Sequence, residues 1–164
     1  LSDRRQRQMC IRDRLIFIRH AYAPGNGDPA GFNLNDCSTQ RNLSDDGRKQ
    51  AQRIGEFFTK NKIEIDKVLS SEWCRCKETA KIAFKNYSTN SFLNSFYSSK
   101  FLKNKDKQVK AFNYYIKNLE SKKNLIFVTH YVFISEVLNY GPSSGEIVVS
   151  DKNLNIIGSI EIDF

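Results

Sequence analysis

Leu15-Ile16-Phe17-Ile18-Arg19-His20 is the stretch on which the fold turns. Four consecutive apolar side chains without alternation mark a strand covered on both faces, as in the interior of a parallel sheet. The run stops at two basic residues, which places Arg19 and His20 at the C-terminal end of that strand. Beyond them, residues 21–43 carry neither a helical nor a strand period. Gly25, Gly27, Pro29 and Gly31 mark a long loop, and loops of this length in small domains are usually functional or disordered.

The same alternation of buried strand and amphipathic helix continues outward. Ser44-Asp45-Asp46 supplies a capping side chain and acidic residues for a helix reaching about Lys60, with Ala51, Ile54 and Phe58 on its inner stripe. Residues 67–71 read as a second strand. A helix follows from about Trp73, with Cys76, Ala80, Ala83, Phe84 and Tyr87 on one side. Residues 88–105 are polar and irregular. Val109, Phe112, Ile116 and Leu119 then support a helix over residues 106–121. Leu125 to Val128 is a third buried strand, ending at Thr129-His130, and a short helix follows over 132–138. Residues 146–149 and 156–162 are the last two strands. This order predicts a single domain over residues 15–164, a three-layer α/β/α sandwich with a mostly parallel central sheet. The final two strands are expected to pair antiparallel at one edge.

Composition narrows the class of protein. The chain has 164 residues, 40% of them hydrophobic and 12% aromatic, which suits one folded domain with a real core. No apolar run approaches the roughly 18 residues of a membrane span. The net charge of +8 is concentrated in two patches. Residues 1–14 hold five arginines against Asp3 and Asp13, and residues 99–123 hold eight lysines against Asp106 and Glu120. The first patch has no periodicity and looks like translated adapter sequence. Residues 1–14 are therefore read as a non-native or disordered segment and set aside from the fold. A native N-terminus, with or without an export signal, would then lie upstream.

Of the four cysteines, 10, 37, 74 and 76, Cys74 and Cys76 are too close for a zinc knuckle, and no histidine follows at a ligand spacing. No metal site is expected. Cys37 pairs with Cys74 or with Cys76 in an oxidising compartment, or all three are plain thiols.

Arg19-His20, Arg75 and Thr129-His130 all fall at or just beyond the C-terminal ends of predicted core strands, the edge at which open α/β sheets bind ligands. Taken singly, a strand-end histidine is only a polar terminus. The chain has two histidines, however, and both directly follow a buried apolar strand. The block Leu15 to Ala21 resembles the signature of the histidine phosphatase, or phosphoglycerate mutase-like, superfamily. The segment Leu43-Ser44-Asp45-Asp46-Gly47-Arg48-Lys49-Gln50-Ala51 is similar to its Leu-Ser/Thr-x-x-Gly-x-x-Gln-Ala block. Ser70-Ser71-Glu72-Trp73-Cys74-Arg75-Cys76-Lys77-Glu78-Thr79-Ala80 is similar to its Ser-Ser-x-x-x-Arg-x-x-x-Thr-Ala block, and Val128-Thr129-His130 matches its second histidine. The resemblance runs over residues 15–149. It is nearer still to a small bacterial branch with a Trp-Cys-Arg-Cys motif and a Pro-x-Ser-Gly-Glu motif, here Pro142 to Glu146. Members of that branch often begin with an export signal, so the resemblance leans towards an extracytoplasmic (periplasmic) location.

The resemblance implies a metal-independent phosphatase with no cofactor, acting on a phosphorylated small molecule or phosphoprotein. In this reading His20 is the nucleophile and forms a covalent phosphohistidine. Arg19 and Arg75 chelate the phosphoryl oxygens, and His130 donates a further hydrogen bond. Asn26 and Arg41 are candidate substrate-binding residues in the long loop. Many relatives place a glutamate after the arginine helix; here that region reads Ser91 to Tyr97, with Asn94 near the expected place. Asp28 and Glu146 are the substitute candidates for a general acid. Without a strong acid, phosphohistidine, acyl phosphates and other good leaving groups are the expected substrates, and a mutase is disfavoured. Only 55 residues separate Arg75 from His130, which leaves little chain for a large cap over the site. Two other readings stand beside this one: a catalytically weak member that binds phosphorylated ligands, and a nucleic-acid-binding protein using the lysines of 100–123 with Phe101, Phe112, Tyr114 and Tyr115.

Overall fold

In the computed structural model, which describes residues 14–120 and 123–164, the decisive run becomes β1 (Leu15–Arg19). Residues 1–13 of the proposed foreign segment, Cys10 among them, and the end of the predicted 106–121 helix lie outside the described residues, whereas Arg14 is described and its carbonyl accepts the Leu125 N–H at 3.1 Å. β1 sits in the middle of a six-stranded sheet. It pairs in parallel with β4 (Asn124–Thr129) on one side and antiparallel with β5 (Ile147–Ser150) on the other. Beyond β4 come β2 (Ile65–Ser70) and a two-residue edge strand β3 (Ser88–Thr89), both parallel to it. β6 (Ile156–Ile160) closes the other edge antiparallel to β5. Five strands thus run one way and β5 alone runs the other, so that the last two pair antiparallel at one edge as expected from the sequence.

Alternate side chains of β1 feed two separate cores, which is why the run is apolar throughout. Ile16 and Ile18 join Ile126 and Val128 under α1 (Asp45–Lys60) and α2 (Cys74–Phe84), where Ile54, Phe58, Cys76 and Ala80 cover them. Leu15 and Phe17 join Leu125 and Phe127 on the opposite face. There Phe112 and Ile116 of α4 (Lys105–Lys117) and Phe133, Ile134 and Leu138 of α5 (Tyr131–Leu138) seal the layer. All four side chains of the run are fully buried. Such burial stabilises the fold by about 1.5–3 kcal/mol per side chain. A one-turn helix, α3 (Ser99–Leu102), precedes α4.

Local signals explain most element ends. Ser44 caps α1 by accepting the Gly47 N–H at 3.1 Å, with Asp45 and Asp46 in the first turn. α2 ends at Phe84, three residues before Tyr87, because Lys85 adopts a positive φ of 67° and cannot continue the helix. Gly47 has a packing reason: a Cβ there would collide with the backbone of Tyr22, so only glycine lets α1 approach the chain just after β1. No described helix is long and apolar enough to cross a membrane.

Candidate active site

The β1–β4 register builds the centre of the site. Arg19 lies opposite Thr129, and the His20 N–H donates to the Thr129 carbonyl at 3.0 Å. Each strand therefore ends in a histidine at the same level, and the two rings meet with centroids 5.6 Å apart. Arg75 enters from the first turn of α2, directly after β2. Its Nε donates to His20 Nε2 at 3.3 Å. His20, Arg75 and His130 are all nearly inaccessible, and together with Arg19 they line a cavity of about 440 Å³.

The His20 ring has a defined orientation. Its Nδ1 lies 2.9 Å from the Ala21 carbonyl, which can only accept, so Nδ1 carries the proton. Nε2 is left with its lone pair towards the cavity and Arg75. Burial, then the Arg75 charge, push the imidazole well below the ordinary histidine range. Neutral His20 is thus the form present near neutral pH, and a neutral imidazole nitrogen is a nucleophile. His130 is held neutral for the same reasons, burial first and the Arg75 charge second. Behind it, the Ser71 hydroxyl lies 2.9 Å from His130 Nε2 and accepts the Trp73 N–H at 3.1 Å. Cys76 Sγ lies 3.5 Å from the same nitrogen, and burial pushes that thiol up to about 12, so it is a protonated packing group.

Arg19 Nη1 donates to the Pro142 carbonyl at 2.9 Å, and its guanidinium lies 5.3 Å from the centre of the Tyr131 ring. Its Nε is buried without a hydrogen-bond partner. A buried charged donor without an acceptor is costly, and an anion in the cavity is the natural acceptor. Asn26 and Arg41 also line the cavity. Arg41 has a second job, bracing the loop by donating from Nε to the Gly27 carbonyl at 2.7 Å and from Nη1 to the Ala23 carbonyl.

The two candidate acids fare differently. Glu146 does not line the cavity: its carboxylate accepts the Ser143 N–H at 2.8 Å and the Tyr140 hydroxyl at 2.5 Å, so it secures the turn before β5. A role as general acid is corrected on that ground. Asp28 does reach the cavity, but it is an ion-pair partner. Its Oδ1 lies 2.8 Å from Arg75 Nη1 and accepts the Arg41 N–H, while Oδ2 accepts from Trp73 Nε1 at 3.1 Å. Burial alone would raise its pKa, but Arg75, the Arg41 N–H and Trp73 outweigh it and the net direction is down. Three donors on an ionised carboxylate leave it a poor proton donor. Asn94 stands outside the cavity, its amide fixed to Glu72 and Ser71.

A disulfide joins Cys37 to Cys74, resolving the alternatives left by the sequence, and Cys76 is free and buried. The bond ties the long loop to the residue beside Arg75. Gln40 adds to the tether by accepting the Cys74 N–H at 3.0 Å. Sequence reading missed the aromatic side of the site. Phe32 stacks on Trp73 with centroids 5.0 Å apart, Phe101 packs edge-on against both, and the Trp73 ring lies 5.4 Å from His130. Trp73 was within reach of the motif spacing, two residues before Arg75. Nothing local in the sequence marks Phe32 or Phe101. Among the described residues no group of three or more His, Cys, Asp or Glu side chains is arranged to hold a metal ion.

Comparison with known proteins agrees with this geometry. A model of the histidine phosphatase superfamily (branch 1) matches residues 15–93. No curated protein matches the chain in sequence. Among solved structures, phosphoglycerate mutase from Thermus thermophilus superposes with a TM-score of 0.60 at 15% identity, covering 92% of this chain and 99% of that one. The SixA protein of Agrobacterium tumefaciens gives 0.57 at 18% identity, covering 91% and 97%. The protein histidine phosphatase SixA complexed with tungstate gives 0.55 at 14% identity, covering 92% and 96%. The family model spans β1, the α1 block and the Arg75 block, just under half of the chain, and the solved structures share the fold across most of it: over residues 15–93 this chain is similar to the histidine phosphatase superfamily (branch 1).

Proposed function

We propose that this protein is a metal-independent phosphatase that cleaves phosphomonoesters or phosphohistidine through a covalent phosphohistidine on His20. The observation that carries the reading is the His20 ring, neutral, with Nδ1–H spent on the Ala21 carbonyl, Nε2 against the Arg75 guanidinium and the His130 ring 5.6 Å away, centroid to centroid. In the first step the Nε2 lone pair forms the N–P bond while the P–O or P–N bond to the leaving group breaks and takes its electron pair away. In the second step water oxygen bonds to phosphorus, the N–P pair returns to Nε2, and the water proton passes to solvent. Arg19 and Arg75 hold the equatorial oxygens and offset their charge throughout. His130 donates a hydrogen bond to the same group.

The captured tungstate in one neighbour, a phosphate-like oxyanion in a protein histidine phosphatase, supports a site of this kind. The Cys37–Cys74 bridge supports an oxidising, extracytoplasmic setting. The test is hydrolysis of p-nitrophenyl phosphate without added metal, together with labelling by a radioactive phosphoryl donor. His20→Ala is expected to abolish turnover and an alkali-stable, acid-labile label on His20. Failure of wild-type protein to take label from any activated donor overturns the nucleophile.

One observation favours a second reading, a phospholigand-binding protein with feeble turnover: the cavity's single carboxylate among the described residues, Asp28, is committed to Arg75. Tight binding of orthophosphate without labelling of His20 would favour it. Of the rings named for the nucleic-acid alternative, Phe112 is fully buried against Phe17 and Phe127 and Tyr115 packs against Phe92, whereas Tyr114 is exposed.

A further inference from the structure

We infer that the cavity is built for aryl phosphates, with an aromatic leaving group joined directly to the phosphoryl oxygen. This rests on the phosphatase reading above and names the substrate class of the same site. Three observations carry it.

The first is size. A cavity of about 440 Å³ falls in the range of roughly 300–1,000 Å³ that encloses whole small molecules. It is more than one phosphoryl group needs. The second is what lines the remainder. Away from Arg19, Arg75 and the two histidines, the lining includes Phe32, Trp73, Tyr97, Phe101 and Tyr131, set among polar groups such as Ser95 and Lys100. The wall starts one ring from the reacting centre: His130 lies 5.6 Å from His20, Trp73 5.4 Å from His130, and Phe101 5.5 Å from Trp73, centroid to centroid. A ring bonded directly to the phosphate oxygen reaches this wall. A slender alkyl group leaves it uncovered. Tyr97 is 63% exposed at the mouth and stacks on no other ring among the described residues. Its face is available to a ligand, and aromatic pairs gain beyond their buried area.

The third observation is the proton inventory. Asp28 is held by Arg75 and Trp73, and Glu146 is turned away into the Ser143 turn. The leaving oxygen must depart with little assistance. In the reaction, His20 Nε2 bonds to phosphorus, the ester P–O bond breaks, and its electron pair leaves on a phenolate. Water then cleaves the N–P bond, giving phosphate, and one water proton neutralises the phenolate through solvent. A phenol with a pKa near that of tyrosine, about 10, is several units more acidic than an alkanol, so its anion departs without a donor. The aromatic wall and the missing acid therefore select the same leaving group.

The experiment compares kcat/KM for substituted phenyl phosphates and fluorinated alkyl phosphates matched in leaving-group pKa, with the disulfide intact. The wild type is expected to prefer the aryl member roughly three- to tenfold, and Tyr97→Ala and Phe101→Leu are expected to reduce that preference through KM. Equal rates at matched acidity, or a preference unchanged in both variants, overturn the aryl assignment while leaving the phosphatase intact. Calorimetry with phenylphosphonate and propylphosphonate decides the same question independently of turnover. Tighter binding of the aryl anion supports the wall as a subsite, and equal binding overturns it. Loss of all His20 labelling speaks to the nucleophile alone.

Discussion

At the scale of single residues, the site is a set of charges whose cost is met by neighbours rather than by water. Arg75 is almost wholly buried, and Asp28 is its ion-pair partner. Breaking one side of a buried pair is expected to cost about 3–5 kcal/mol, so Asp28→Ala should lower the denaturation midpoint strongly. Millimolar orthophosphate should recover more stability in this variant than in the wild type, because the anion takes the carboxylate's place on Arg75. Equal gains in both proteins would contradict that account. His20 and His130 yield a pH prediction. A histidine kept neutral by burial binds fewer protons folded than unfolded, so its contribution is complete above the unfolded value near 6.5. Stability is then lost as pH falls through 6.5 towards the depressed folded value. With two histidines in the chain, proton NMR of their ring C–H signals reads this directly. Both midpoints are expected below 6.5 in the ligand-free protein.

At the scale of elements, legibility followed how local the cause was. β1 and β4 were readable because each is apolar over its whole length, and α1 because Ser44 caps it within four residues. Residues 88–105 read only as irregular because their elements are held from elsewhere. Gln108 of α4 donates to the Phe92 and Asn94 carbonyls, and β3 exists by pairing with the end of β2. Phe101 belongs to that segment, which is why its place in the cavity with His20 and His130 could not be read from the sequence. Glu146 was a candidate from motif position alone; its direction is set by Ser143 and Tyr140, which spacing does not reveal. The Cys37 partner was open because the choice between residues 74 and 76 depends on which side of α2 meets the loop. The bridge closes a sequence separation of 37 residues. Its reduction is expected to cost about 2–4 kcal/mol and to lower activity by loosening the loop that carries Asn26, Asp28 and Arg41. A melting curve and an assay with and without dithiothreitol check both. Gly47→Ala should also be damaging, since the added carbon meets the Tyr22 backbone next to the site. A loss of about 1–3 kcal/mol in urea unfolding is expected.

At the scale of the whole molecule, the two histidines belong to strands 110 residues apart in the chain, brought level by the parallel β1–β4 register. Contacts of such long separation form slowly, since a large loop must close before any pairing compensates. A slip of one residue would turn alternate side chains to the wrong face and part His20 from His130. No partly collapsed species with only local helices can bring those groups together. The single tryptophan, Trp73, sits in the same site beside His130. In stopped-flow refolding, catalytic power should therefore return only with the last tryptophan phase, with no early burst of turnover. The register of one strand pair makes activity a clock for the end of folding.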